Sequence, residues 1–121
     1  MTYIPTALQK DLYVKRKFSI FDSTTPWTPK VNITLTRILI ELKDTATGTG
    51  ASTLRIWGDR GTTNQVVIFD ASFSANEALK ETGSSFSHDI TAGTEITYSV
   101  TQITDADPGG EAIISFLYKN Q

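Results

Sequence analysis

Residues 55–70 read RIWGDRGTTNQVVIFD, and the parsing of this stretch decides the fold. An apolar run ends at Trp57, the cluster Gly58-Asp59-Arg60-Gly61 follows, and Val66-Val67-Ile68-Phe69 begins a second run. Glycine supplies the positive φ that tight turns require, and an Asp at a turn bonds back to its own backbone amides. The stretch is therefore a strand, a turn and a strand. The Asp-Arg pair belongs to the turn, and its order is not that of an Arg-Gly-Asp adhesion motif.

The same grammar extends in both directions. LYVKRKFSI alternates at Leu12, Val14, Phe18 and Ile20, with Arg16 interrupting the apolar face. VNITLTRILIEL alternates at Val31, Ile33 and Leu35, then resumes one residue out of phase at Ile38, Ile40 and Leu42. A slip of one residue exchanges the two faces of a strand, so the sequence predicts a β-bulge or bend near Thr36-Arg37. Toward the C-terminus, EITYSVTQI alternates at Ile96, Tyr98 and Val100, and AIISFLYK at Ile114, Phe116 and Tyr118. The stretches DSTTPWTPK and DTATGTGAS read as loops. SANEALKE has a helical composition but is too short for more than about one turn. Thr is about a sixth of the chain, in keeping with its β character. The expected fold is all-β: an antiparallel β-sandwich, jelly-roll-like, of about seven or eight short strands. Residues 1–11 are expected to be an N-terminal arm, and residues 12–121 a single sandwich domain.

Composition narrows the functional classes. The chain has 121 residues, a net charge of −2 and no cysteine, which removes disulfides, thiolate metal sites and thiol nucleophiles. No apolar run approaches the roughly 18–20 residues of a membrane span, and MTYIPTALQKDLYVK lacks the charged-then-apolar order of a secretory signal. Charge is uneven: residues 1–17 hold four basic side chains against one acidic, the remainder seven against twelve. Nucleic acid is not an expected partner, because the acidic remainder repels it.

Chemistry-bearing constellations are sparse. His88 is the single histidine, and its strand neighbour Asp89 points to the opposite face, so the two cannot form a base–carboxylate pair. DADPGGE resembles a calcium loop only at its first and third positions; the fifth is Gly109 and the twelfth Phe116, so the EF-hand pattern fails. It reads instead as a Pro-Gly turn. No enzyme activity, metal or cofactor is expected. Trp57 and Tyr98 are assigned to the core by their alternating patterns. Trp27 lies in a loop between two prolines, where it is either a candidate contact for a host-surface glycan or a plug over the end of the sandwich. The sequon Asn32-Ile33-Thr34 falls inside a strand pattern and is read as accidental. Tyr3, Ile4 and Leu8, together with Lys15, Arg16 and Lys17, are the candidate residues of an attachment arm facing an acidic partner.

One family impression emerges from Ile90, Gly93, Ile96 and Val100 (an I-x-x-G-x-x-I-x-x-x-V strand entry), followed by Gly109 in a turn and Ile114 and Phe116 in a closing strand. This rhythm resembles the small β-sandwich modules of tailed-bacteriophage virion proteins, across about the last two-thirds of the chain. The resemblance implies a jelly-roll topology, a virion location, homotrimers, and capsid or other virion proteins as partners. Capsid decoration, head-fibre and tail-fibre proteins are the roles it implies, and it carries over no catalytic residue.

Overall fold

A computed structural model describes residues 8–18, 21–22, 26–47, 51–83, 85–102 and 108–121, with backbone alone at 21, 22 and 102. The described residues form nine strands: β1 (Leu8–Lys17), β2 (Phe21–Asp22), β3 (Ile33–Asp44), β4 (Ser52–Gly58), β5 (Val66–Phe73), β6 (Leu79–Glu81), β7 (His88–Ile90), β8 (Ile96–Gln102) and β9 (Gly110–Asn120). One sheet, sheet A, runs β1-β9-β3-β6, with β7 also on β3; the other, sheet B, runs β2-β8-β4-β5. Every pairing is antiparallel.

β6 and β7 occupy one strand position. β6 pairs with Leu39–Glu41 and β7 with Ile33–Leu35, while between them Thr82 binds Ile38 in both directions. Counted this way there are eight strand positions, and the first pairs with the last, the second with the seventh, the third with the sixth and the fourth with the fifth. This is one long antiparallel hairpin wrapped into two sheets, the jelly-roll arrangement. The sandwich expected from the sequence is present.

The phase slip in β3 is a bulge at Thr36. Leu35 pairs with Tyr118 and Arg37 with Leu117, so Thr36 has no partner in the register, and its hydroxyl donates to the Leu117 carbonyl at 3.2 Å. The energetics favour it. The bulge returns Ile38, Ile40 and Leu42 to the interior, at about 1.5–3 kcal/mol per buried side chain, against a ladder hydrogen bond of about 1 kcal/mol. Those residues face Leu54, Ile56, Ile96 and Val100 of sheet B in one continuous core. Phe18, just after β1, closes the core by meeting Phe73 edge-on at 6.1 Å.

Three sequence expectations change. Strand β1 begins no later than Leu8, so Leu8–Asp11, assigned to an arm, pair with β9; Met1 to Ala7 lie outside the described residues. SANEALKE forms no helix. Asn76 has φ 66°, Glu77 Oε1 accepts from the Ser74 amide at 2.8 Å, and Leu79–Glu81 are already strand β6. DADPGGE, read as a Pro-Gly turn, is only partly within the described residues; there Pro108, Gly109 and Gly110 are buried, and β8 and β9 on either side belong to different sheets, so they form no hairpin.

The Thr82 contact gives a direct test. The Ile38 amide donates to the Thr82 hydroxyl at 3.0 Å in a buried setting. Thr82→Val keeps the shape and removes the acceptor. It should cost about 1–2 kcal/mol in urea unfolding with an unchanged slope.

Candidate assembly face

The question posed by Gly58–Gly61 has a structural answer. Asp59 (φ 49°) and Gly61 (φ 84°) carry the chain out of β4, and the Asp59 carbonyl accepts from the Thr62 amide and hydroxyl at 3.2 and 2.7 Å. Asp59 also clasps the loop before β8, donating its amide to the Glu95 carbonyl and accepting the Glu95 amide on Oδ1. Arg60 extends over the Trp57 ring, 4.8 Å from its centroid.

Trp57, expected in the core, faces outward. Leu54 and Ile56 take the inward positions of β4, so the next residue necessarily faces out. Half-buried on the outer face of sheet B, Trp57 donates Nε1–H to Ser99 Oγ at 2.9 Å and stacks with both Arg55 and Arg60. Arg55 is itself held by Asp70 through two bonds of 2.6 and 2.9 Å. Those bonds, then the carboxylate charge, raise its pKa above the ordinary value. Tyr98 does point inward, partly buried against the core. Burial raises its phenol pKa, opposed by the charge of Arg16.

Trp27 packs against Phe116 and Tyr118, with ring centroids 5.2 and 5.4 Å apart, and its backbone exchanges two hydrogen bonds with Ile96. This is the plug arrangement. His88 stacks on Phe86, while Asp89 accepts from Thr34 Oγ1 at 2.8 Å, so the pair is split as strand alternation requires. The Asn32 side chain of the sequon accepts from the Ala92 amide, and Ile33 and Thr34 are buried. Among the described residues no group of three or more His, Asp or Glu stands where one metal ion would be held.

The attachment-arm candidates among the described residues lie at opposite ends of β1. Tyr3 and Ile4 lie outside the described residues. Leu8 sits at one end of β1 and Lys15, Arg16 and Lys17 at the other, about 23 Å away at strand rise.

What sheet A does gather is an apolar outer face that the sequence reading missed. The register places Tyr13, Ile113, Glu41 and Leu79 in one row, Asp11, Ser115, Leu39 and Glu81 in the next, and Gln9, Leu117 and Arg37 beyond. Tyr13 is 58% exposed, Leu79 49% and Ile113 40%, and Leu39 and Leu117 are half-buried beside them. Charges of both signs rim the patch, with Arg37–Glu81 and Lys43–Glu111 paired at 2.7 and 3.2 Å. A groove of about 520 Å³ opens here between Tyr13, Lys15, Glu41, Lys43, Glu111 and Ile113. The outer face of sheet B, by contrast, presents Thr53, Ser72, Thr97, Ser99 and Thr101 around Trp57 and Arg55. The two outer faces are chemically unlike.

No family model matches the chain, and no curated protein does. Among solved structures, the chain is similar to the virus-like particle of the extra small virus of the giant freshwater prawn Macrobrachium rosenbergii. That match has 12% sequence identity and a TM-score of 0.30, and it covers 100% of this chain and 85% of the other.

The sequence signal for this apolar outer face lies in β9. AIISFLY is apolar in both phases, Ile114 and Phe116 facing in while Ile113 and Leu117 face out. A strand apolar on both faces has both faces to cover.

Proposed function

We propose that the protein is a non-enzymatic structural component of a virus particle, joined to neighbouring virion subunits through the outer face of sheet A. The observation that carries this reading is that face: five large apolar side chains, rimmed by both charge signs, on a wrapped eight-position sandwich. Contiguous exposed apolar surface rimmed by polar groups marks association surfaces, and jelly rolls recur in viral shells. The split of His88 from Asp89 favours a non-catalytic role. Attachment to a bacteriophage particle as a capsid decoration or fibre protein, with three copies together when bound, is the form of this role that the sequence resemblance implies.

The test begins with particles purified from the source that encodes the chain, probed with an antibody raised against it. The expected result is a fixed copy number per particle; absence from particles would remove the virion role. A Tyr13→Ser, Ile113→Ser double variant should be incorporated at least about tenfold less, a change that loss of about 1.4 kcal/mol of binding produces. Its melting temperature should change little, because both side chains are already exposed. Full incorporation of the variant would move the contact to another surface.

A further inference from the structure

The sandwich has four strand edges, and among the described residues they are protected very unequally. β2 has two residues. The β6–β7 edge is broken into pieces of three residues each. β1 is ten residues long, but it carries Lys10, Lys15, Arg16 and Lys17 and loses register with β9 between Val14 and Lys17. Lys10 even faces the inner side, opposite Phe116. Short length, lysines, inward charges and bulges are the devices that keep an edge from pairing.

β5 has few of them. It is eight residues long, VVIFDASF, without lysine, arginine or proline. Its one charge, Asp70, is neutralised by Arg55 of the adjacent strand. Beyond β4, no described backbone group bonds to it. A bulge does occur: Ile56 pairs with Phe69 and Trp57 with Val67, leaving Ile68 as the extra residue. It restricts the regular open ladder to Phe69–Phe73. The valines before it, Val66 and Val67, are 40% and 41% exposed.

We propose that β5 joins two copies of this chain, antiparallel about a two-fold axis at Ala71, so that their B sheets become one eight-stranded sheet. The sequence of the edge selects a second copy. With Ala71 opposite itself, Phe69 meets Phe73 of the other copy, and both face the core side. Asp70 then meets Ser72, both on the outer side, so a carboxylate faces a hydroxyl and no like charges meet. The same operation applied to β1 about Tyr13 sets Lys10 against Arg16. Each copy has one such open edge, so the contact is self-complementary and closes at two copies. It stands on the edge alone and holds whether or not the protein resides on a particle.

The experiment is sedimentation of the full chain across micromolar to millimolar concentration, comparing Ser72→Asp with Ser72→Lys. Wild type is expected to reach twice the 13.3 kDa chain mass. Ser72→Asp places a carboxylate opposite Asp70 twice per pair and should raise the dissociation constant about tenfold or more; Ser72→Lys places an ammonium there and should leave it equal or lower. Both variants lose the Ser72–Thr53 hydroxyl contact equally, so a difference between them reads the subunit contact and not fold stability. A monomer at millimolar concentration, equal effects of Asp and Lys, or association that ignores residue 72 would each overturn the proposal.

Discussion

Gly110→Ala is expected to leave the protein largely unfolded at 37 °C. Gly110 opens β9 at the point where that strand enters between β1 and β3, opposite Lys17 on one side and Asp44 on the other. Its φ is 151°, outside the range L side chains adopt comfortably. A Cβ built there would meet Lys17 Cα at 2.5 Å, Arg16 O at 2.6 Å and Phe18 N at 2.8 Å, all backbone atoms with no rotamer to yield. Backbone strain of about 1–3 kcal/mol and overpacking of about 1–3 kcal/mol act together. Their sum, about 2–6 kcal/mol with a midpoint of about 4 kcal/mol, is a large part of the 5–15 kcal/mol typical of whole domains. Thermal unfolding should show a midpoint lower by about 15 °C or more, or no transition at all. A shift under about 5 °C would mean that β1 is free to move away. Gly61, with positive φ but open space around it, gives the comparison: Gly61→Ala meets no atom and costs conformational strain alone.

Trp27→Ala should destabilise the sandwich by about 3 kcal/mol, in the lower range of large-to-small aromatic changes because the ring is only partly buried. The loss has a definite location. Phe116 is fully buried under the indole, and Tyr118 lies beside it. Removing the ring opens this end of the core to water while the backbone bridge to Ile96 remains. Guanidinium unfolding is the measurement, and Trp27→Phe should recover more than half of the loss. An unchanged midpoint for Trp27→Ala would mean the ring is not a plug, and would return it to consideration as a ligand contact.

The parts of this fold that were legible in the sequence are those where burial enforces a period. The slip between Leu35 and Ile38 announced the Thr36 bulge because Ile33 and Leu35 before it, and Ile38, Ile40 and Leu42 after it, had to reach the same core, although Val31 proves to be exposed. The turn at Gly58–Gly61 was legible because its backbone geometry needs particular residue types. Where burial enforces nothing, the reading failed. Leu8–Asp11 belong to an edge strand whose inner positions reach the rim, so Lys10 there carries no signal of a strand. Trp57 is placed inward by an alternating pattern, although Ile56 beside it already holds the inward position. The helical composition of SANEALKE was overridden by its place as the return from sheet B to sheet A. The outer face of sheet A needed the register itself, because Tyr13, Ile113 and Leu39 are far apart in sequence and become neighbours only when β9 is placed between β1 and β3.

That placement also governs when the molecule can form. β9 is the last of the described strands and the inner partner of both β1 and β3. During synthesis at about 5–20 residues per second, sheet B can zip from the β4–β5 turn outward while β1 and β3 still lack the strand that separates them. Until residues 110–120 leave the ribosome, the inner face of β3, with Ile33, Leu35, Ile38 and Ile40, has no neighbour on that side. Such long-range closure is slow, on the order of milliseconds to seconds for β-sandwiches. The nascent chain therefore passes through an interval in which a late strand from another chain can take the place of its own.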